Sequence, residues 1–522
     1  MGGIERGDGG SGERFRRLAY PRGFTTASGT AACAVADTAR PPGGTAALFT
    51  DWPKADFIIG NPPYQSKNKM QEEFGRAYLN DLSDRFPEMS GMADFCVYWF
   101  RKAHDELLPD GRAGLVGTNT IRQTYSRVGG LDYIVQNDGT IYDAVSTQVW
   151  SGDAVVHVSI VNWTKGPVAG KKQLATQLGN DRDSPWKIEF LDRIPSSLTA
   201  DCDVTQAATL KANANSDACN QGQTPGHEGF LLTPEEAYHL TTQGKQNADV
   251  LFSYLTGDDL LSSNPPRPSR YIIDFHPRDV TEAASFREPF ARVRKFVLPP
   301  RGEAAKEEEA RNKEARESNP RARINKHHAN FLKKWWLFSY PREDLIARIA
   351  KLPRYVACSR VTSRPIFAFV RASIRPSDAL QVFPLADDYS FGILQSSTHW
   401  KWFAARCSTL KADNRYTSNT VFDSFAWPQA PTLTEVRQIA EAAVALRATR
   451  LRIMTANNWT LRELYRTVDL PGENPLKDAQ ERLDTAVQAA YGVTAADDQL
   501  FFLLSLGTGR ARPIADVVQA LI

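Results

Sequence analysis

The sequence has few of the residues that build metal sites, disulfide frameworks or membrane spans. Its 522 residues include only six cysteines and eight histidines, which are widely scattered. Without a C-x-x-C pair or a ligand-like spacing, they predict neither a zinc site nor a disulfide framework. No run of about 18 uncharged apolar residues occurs, which argues against a transmembrane helix. The N-terminus is rich in Gly and Arg and has no apolar segment of the kind that secretion signals need.

The charge is nearly balanced overall but is unevenly distributed. The chain has 63 Lys and Arg against 60 Asp and Glu, whereas residues 261–360 hold 22 basic side chains against 12 acidic ones. An apolar fraction of 42% is typical of a globular protein, and the length is sufficient for two or three domains. The local basic excess suits a phosphate backbone, although a solvated charged surface has the same composition.

A short apolar run that ends in a rigid polar turn is the first candidate site. Residues 56–64 read DFIIGNPPY, and the run from Phe57 to Ile59 predicts a buried strand. Asn-Pro sequences are common in turns, so the turn alone carries little weight. In open α/β sheets, however, ligands bind at the carboxyl ends of strands. There the Asn61 amide could hold an exocyclic amine, and Tyr64 could offer its ring face to a planar group.

Strand and helix patterns continue to about residue 170. They predict a polar stretch over 65–90, a helix over about 92–108, a strand over 113–118 and a long strand over 155–163. A strand, a helix, a strand and a strand pair make up the second half of a doubly wound α/β domain. The charged segment 303–318 is predicted to be an exposed helix or loop.

Helices are predicted for the C-terminal part of the chain. Thr432 and Glu435 have the spacing of a capping box, which indicates a helix start. A further helix is predicted to begin at Asn474-Pro475 and to end at Gly492. Between the α/β region and the C-terminal helices, the sequence predicts short strands, such as RYIIDF, YVACSRV and PIFAFV, that alternate with aromatic clusters.

Several long stretches resemble one enzyme family. They are DWPKADFIIGNPPYQSKNKMQEEFGRAYLN, YWFRKAHDELLPDGRAGLVGTNTIRQTYSRVGGLDYIVQNDGTIYDAVSTQVWSGDAVVHVSIVNWTKG, GQTPGHEGFLLTPEEA, SRYIIDF, WWLFSYPRED and NRYTSNTVFDSFAWP. From about residue 47 to the end, the chain is similar to the adenine-specific DNA methyltransferases of the MmeI-like, type IIG/IIL restriction–modification group. The NPPY sequence alone also occurs in methyltransferases that act on protein glutamine or on RNA guanine.

The resemblance implies an α/β fold class: the C-terminal half of a class I Rossmann-like methyltransferase domain, a mixed α+β target-recognition domain and a helical C-terminal region. The expected segments are a disordered or aberrant N-terminal segment (1–46), a partial catalytic domain (47–170), a connecting region (171–250), a DNA-binding target-recognition domain (251–430) and the helical region (431–522).

The resemblance also implies methyl transfer from S-adenosylmethionine to the N6 amine of an adenine flipped out of double-stranded DNA. A base inside the stack cannot reach the cofactor and must be extruded. Asn61 and the Pro62 carbonyl would accept the amine hydrogens, and Pro63 would help to fix the turn. Tyr64 would stack on the base. Trp150 is the candidate for a second aromatic wall, with a core position as the alternative.

Further candidates lie at strand ends and in the basic region. Asp56 and Asn119 are weaker candidates for cofactor binding, and Asp56 would also serve simply to support its strand. Phosphate contacts are expected from a set of basic residues, with base contacts unassigned: Arg267, Arg270, Arg321, Arg323, Lys326, Lys333 and Lys334. A DNA-bound protein of this kind is expected in the cytoplasm, on the nucleoid.

The N-terminal 50 residues depart from the family pattern. A Gly-rich turn for the cofactor should precede NPPY, and TASGTAACAV does not match it. We therefore expect a fragment, a frameshifted product or one piece of a split enzyme, inactive alone unless an upstream polypeptide completes the cofactor pocket. Any DNA cleavage would need a separate nuclease. The alternatives are a non-catalytic DNA-binding specificity module and, at lower rank, a protein glutamine methyltransferase.

Overall fold

The computed structural model describes most of the chain as two compact units, Met1–Ala200 and Asp201–Ile522. The described residues are 25–26, 29–30, 33–35 and 51–507, without 88, 90–92, 151–155, 180, 201, 205–206, 265–266, 319, 321–323, 411–412, 471 and 495–496. Within these ranges, every helix is too short or too polar to cross a bilayer.

The first unit contains the predicted α/β domain. Its strands are β1 Thr25–Thr26, β2 Gly29–Thr30, β3 Cys33–Val35, β4 Ala55–Gly60, β5 Leu107–Thr118, β6 Gly139–Val149, β7 His157–Lys165, β8 Lys172–Gln177 and β9 Trp186–Leu191. Its α-helices are α1 Lys67–Arg85, α2 Phe95–Glu106, α3 Thr124–Arg127 and α4 Tyr133–Gln136.

Seven strands of this unit form one mixed sheet in the order β3-β4-β5-β7-β6-β8-β9. The first three are parallel to each other, whereas β7 is antiparallel to both β5 and β6. Gly60 pairs with Leu115, so β4 and β5 end close together at one edge. One side of the sheet is covered by α2, where Phe100 stacks on Trp163 with 5.6 Å between ring centroids. This packing holds the carboxyl ends of β4 and β5 in place.

The helix predicted over 92–108 is present as α2, but a second helix was missed. The stretch 65–90, predicted only to be polar, contains α1. Its buried Met70, Tyr78 and Leu82 lie at multiples of four residues from one another, and Phe74, at the same spacing, packs against the same core. Gly75, at φ 80°, interrupts the helix in the middle. The break shortens each periodic segment, which explains why the pattern was not recognised.

The sheet extends beyond two of the expected domain boundaries. The sheet continues past residue 170, because β8 pairs in parallel with β6 and β9 pairs with β8. At the other end, β3 pairs in parallel with β4, so a part of segment 1–46 is folded. Most of that segment lies outside the described residues. These three strands were not predicted, and each is only three to six residues long.

The second unit contains smaller sheets surrounded by helices. Its strands are β10 Asn220–Gln221, β11 Leu231–Leu232, β12 Leu251–Leu255, β13 Arg270–Ile273, β14 Arg354–Ser359, β15 Ala368–Arg371, β16 Arg375–Pro376, β17 Leu380–Phe383, β18 Ser408–Leu410 and β19 Asp413–Arg415. Its α-helices are α5 Lys211–Ser216, α6 Pro234–Gln243, α7 Gly257–Ser262, α8 Val280–Ala284, α9 Arg287–Phe296, α10 Leu298–Ser318, α11 His327–Lys333, α12 Glu343–Ile349, α13 Asp388–Gln395, α14 Ser397–Arg406, α15 Leu433–Asn457, α16 Leu461–Arg466, α17 Pro475–Tyr491 and α18 Gln499–Gly507.

The sheets of the second unit have the orders β10-β17-β14-β15 and β11-β13-β12-β16, and β18 pairs with β19. The strands predicted from RYIIDF and YVACSRV are present as β13 and β14. The segment 171–250 is not merely a connection, because β10 and β11 each join one of these sheets. The charged segment 303–318 lies within the helix α10.

The predicted ends of the C-terminal helices are confirmed. Thr432 accepts a hydrogen bond from the backbone of Glu435, whose side chain reaches back to the Thr432 backbone. Asn474 caps the start of α17, and Gly492 ends it at φ 70°. These signals are local, so they are readable from the sequence without knowledge of the tertiary fold.

A buried histidine in the second unit predicts a loss of stability in mild acid. His399 is fully buried and is 2.9 Å from both the Leu394 carbonyl (through Nδ1) and the Tyr416 hydroxyl (through Nε2). Burial lowers its pKa to about 4. A histidine in the unfolded chain titrates near pH 6.5. Between about pH 6.5 and 4 the unfolded state therefore binds more protons, and stability falls as the pH falls.

Thermal unfolding between pH 7.5 and 4.5 measures this effect. We expect the midpoint of the second unit to drop as the pH is lowered. His399→Gln should reduce stability at pH 7.5 and should also flatten the pH dependence, because the titrating group is gone. An equally steep dependence in His399→Gln would show that other groups cause the acid sensitivity.

Candidate active site

The turn after β4 brings Asn61 and Tyr64 into contact. Pro62 is buried, and the other three residues of the NPPY turn are half-buried. The Tyr64 hydroxyl donates a hydrogen bond to Asn61 Oδ1. Burial, and then the nearby Cys96 thiol, raise the pKa of Tyr64. The hydroxyl therefore stays protonated near neutral pH and remains a donor to the amide.

Trp150 lies beside this turn, although it is far away in the sequence. It directly follows β6, and its backbone N–H donates to the Val156 carbonyl at 2.9 Å. Its ring centroid is 6.4 Å from that of Tyr64, with an angle of 86° between the planes. A base between two parallel rings needs about 7 Å, twice the van der Waals separation. The separation is nearly sufficient, but one ring must turn before a base can enter.

A carboxylate that was not predicted from the sequence supports the same edge. Asp94 precedes α2 but does not cap it. Instead its Oδ2 accepts hydrogen bonds from Thr118 at 2.6 Å and from Thr120 at 2.8 Å. The backbone N–H of Phe95 donates to the Gln65 carbonyl at 2.9 Å, which ties the residue after Tyr64 to α2. An Asp at a predicted helix start was a visible signal, but it indicated a cap rather than this cluster.

The two weaker cofactor candidates have different positions. Asn119 directly follows β5 at the Asn61 edge, and its Oδ1 accepts a hydrogen bond from Arg122 Nε at 2.7 Å. Asp56 is the second residue of β4. Five residues of extended strand separate it from Asn61 by about 16 Å. The structure therefore does not bring Asp56 to the edge that carries the NPPY turn.

The predicted phosphate contacts that the structure describes are all exposed. They are Arg267, Arg270, Lys326, Lys333 and Lys334. Arg321 and Arg323 lie outside the described residues. Among the described residues, none of the five is paired with a carboxylate. They are therefore free to meet an external anion, although their DNA contacts stay a prediction.

Part of the basic excess in 261–360 is structural. Arg301 is 7% exposed, and its guanidinium donates to backbone carbonyls, including that of Leu337 at 2.8 Å. Arg292 pairs with Glu236 at 2.9 Å, and Arg354 pairs with Asp388 at 3.0 Å. Composition alone could not separate these internal cations from the exposed ones.

Two stretches of the chain match models of known protein domains. Residues 31–175 match the MmeI DNA-methyltransferase domain, and residues 338–429 match the MmeI target recognition domain. Two separate stretches of the chain are therefore similar to domains of MmeI. The resemblance inferred from the sequence is thereby confirmed. Asn61, Tyr64 and Trp150 all lie within the stretch that matches the methyltransferase domain.

Two known proteins show how much of this chain is similar to its relatives. DNA methyltransferase A of Bacillus subtilis (strain 168) is 34% identical over 115 residues, which are 22% of this chain and 12% of that protein. The structure of the Type IIL restriction-modification enzyme MmeI in complex with DNA has a TM-score of 0.67 at 22% identity, over 87% of this chain and 57% of that one. The second likeness shows the fold. The chain spans little more than half of the solved MmeI-family chain and a small part of the curated relative.

Proposed function

We propose that this chain supplies the methyl-transfer and DNA-recognition functions of a restriction–modification enzyme, and that it methylates the N6 amine of adenine in double-stranded DNA. The observation that carries the proposal is the meeting of Asn61, Tyr64 and Trp150 at the carboxyl end of β4, within a matched methyltransferase domain. An amide acceptor beside two aromatic rings is suited to hold a flipped base by its amine and its faces.

The residues at this edge fit the target amine. Asn61 Oδ1 has two lone pairs, so it can accept the Tyr64 hydroxyl and one amine hydrogen together. The Pro62 carbonyl can accept the second amine hydrogen. Both bonds favour a pyramidal nitrogen, whose lone pair then points out of the ring plane. No strong base is needed, because the proton can leave after the new C–N bond has formed.

The methyl donor that the family implies is S-adenosylmethionine, which supplies an electrophilic methyl group when it is bound. We assign no residue to hold it. The strand β3 is parallel to β4 and ends at the same edge, and the residues between Val35 and Asp51 lie outside the described part of the chain. We propose that this cofactor binds at the edge of the sheet that carries the NPPY turn.

Calorimetric titration of S-adenosylmethionine into the purified chain tests cofactor binding. Transfer of a tritiated methyl group to DNA, followed by nucleoside analysis, then identifies the product. N6-methyladenine supports the proposal. DNA binding without cofactor binding or methylation would instead favour a specificity module. A labelled protein glutamine would favour the lowest-ranked alternative. A nucleoid location and a separate nuclease partner are further expectations of the same proposal.

The exposed lysines around α11 are expected to contribute a measurable part of the DNA affinity. We expect the combined change of Lys326, Lys333 and Lys334 to Gln to weaken binding to duplex DNA. The slope of log K against log salt should fall by about 0.9 for each lysine that contacts a phosphate. A matched control replaces three exposed arginines of the helical region, Arg437, Arg452 and Arg482, with Gln. Equal losses in both variants would assign the effect to net charge rather than to this surface.

A further inference from the structure

The second unit contains a polar cavity of about 310 Å³ whose side chains have unused hydrogen-bonding groups. It lies beside the paired strands β10 and β17, and the turn after β19 closes it. Its polar lining includes Arg342, Arg360, Gln381, Ser418, Asn419 and Asp423. These six residues all lie within the segment that matches the target recognition domain.

Two guanidinium groups that face this cavity form no salt bridge among the described residues, although the charge of Asp378 acts on Arg360. The buried Nε atoms of Arg342 and Arg360 make no hydrogen bond within that part of the chain. Arg342 makes one long contact, from Nη2 to Gln221 Oε1 at 3.4 Å. Burial, reinforced by the neighbouring Arg415, lowers the pKa of Arg360 to about 10. Two partly desolvated cations side by side are unfavourable, and a bound anion would relieve this cost.

The carboxylates near the cavity compete only weakly for these cations. Asp217 is 3.7 Å from Arg348, and its side chain is largely exposed. Burial, and then the charge of Asp217, raise the pKa of Asp423. A raised pKa means that the negative form of Asp423 is disfavoured in its surroundings. Neither Asp217 nor Asp423 forms a salt bridge with Arg342 or Arg360 among the described residues, so the buried Nε donors of both arginines remain available to an external anion.

A buried amide adds a further possible donor. Gln381 is 1% exposed, its Oε1 has no partner among the described residues, and its Nε2 is 3.1 Å from Cys219 Sγ. Burial raises the pKa of the Cys219 thiol well above its usual value, so the thiol keeps its proton. If the amide turns over, the thiol can donate to Oε1, and the NH₂ group becomes available to an anion.

We propose that this cavity binds one phosphate group of the DNA backbone, with Arg342 and Arg360 as its main ligands. The forked, donor-only guanidinium matches phosphate oxygens, and none of the described residues lining the cavity is aromatic, so there is no ring on which a base could stack. The inference rests on the proposed DNA recognition and deepens it by naming a buried phosphate site. Both arginines lie in the basic segment 261–360, but neither was among the residues predicted to contact phosphate.

The test is the salt dependence of binding to a random-sequence duplex pool, measured on the full chain with Arg360→Gln, Arg360→Lys and Arg342→Gln. Each Gln variant should weaken binding about tenfold and lower the salt slope by about 0.9, equally for all sequences. Arg360→Lys should keep most of the slope, since it keeps the charge. Arg437→Gln, an exposed arginine on α15, is the matched control and should leave the slope unchanged. Thermal unfolding confirms that each variant is folded.

Sequencing the bound DNA and adding inorganic phosphate distinguish a backbone contact from base reading and from free-phosphate binding. Unchanged slopes in both Gln variants would overturn the inference, while failure of the wild-type chain to bind DNA at all would overturn the proposed function. A changed sequence preference would mean that the arginines read a base. If inorganic phosphate raises the melting temperature of the wild type but not of Arg360→Gln, with DNA slopes unchanged, the cavity is a site for free phosphate instead.

Discussion

Replacing Asn61 with alanine should abolish DNA methylation and leave DNA affinity unchanged. The amide oxygen is the group placed to accept an amine hydrogen, and it is already polarised by the Tyr64 hydroxyl. Removing one such preorganised acceptor typically costs about 10²- to 10³-fold in rate. The rate should fall in any reaction mixture in which the wild-type chain is active. Methyl transfer and duplex binding are measured on the same preparations.

Two variants sharpen this experiment. Asn80→Ala removes an exposed amide from α1 on the same unit and should not change the rate. Asn61→Asp keeps an acceptor oxygen and should retain more activity than Asn61→Ala. If Asn61→Ala methylated DNA at the wild-type rate, the NPPY turn would not be the catalytic site. If it lost DNA binding as well, its role would be structural.

The strand and turn at this site were predictable because their signals are local. A short apolar run followed by Gly60 and Asn61 contains the information needed to place a strand and its end. Helix caps such as Thr432 and Asn474 are local in the same sense. Trp150 was selected because of the family resemblance and its place before a long strand, and the structure puts it 6.4 Å from Tyr64.

The parts that were missed depend on contacts between distant residues. Asp94 is hydrogen-bonded to Thr118 and Thr120, 24 and 26 residues later. No periodicity links these positions, since the packing of α2 against β5 brings them together. The cavity lined by Arg342 and Arg360 depends on contacts between residues that are even farther apart. Its Gln381 contacts Cys219, which is 162 residues away in the sequence. Such sites arise from sheet register, which a single sequence does not specify.

Residues that position the NPPY turn are distinct from the residues that would contact the base. The Asp94 cluster ties the end of β5 to the start of α2, and the Phe95 to Gln65 hydrogen bond ties α2 to the NPPY turn. These residues act on the base only through Asn61 and Tyr64. A variant such as Thr120→Val would therefore disturb the geometry of the turn without removing a group that touches the substrate.

Changes at Tyr64 should divide the contribution of the ring from that of its hydroxyl. Tyr64→Ala removes the stacking face, which is worth about 1–3 kcal/mol, or about 5- to 150-fold in rate. Tyr64→Phe keeps the face and loses only the hydrogen bond to Asn61, so its effect should be smaller. Steady-state methylation with each variant gives kcat and KM, and Tyr125→Ala, an exposed tyrosine at 51%, is the control.

Trp150 extends the same experiment to the second ring. If both rings hold one base, Trp150→Ala should slow methylation, and the double variant with Tyr64→Ala should cost less than the sum of the two single changes. Simple additivity would mean that the rings act on different parts of the substrate. Equal rates for Tyr64→Ala and Tyr64→Phe would contradict a stacking role, because then the hydroxyl bond to Asn61 would account for the whole contribution of Tyr64.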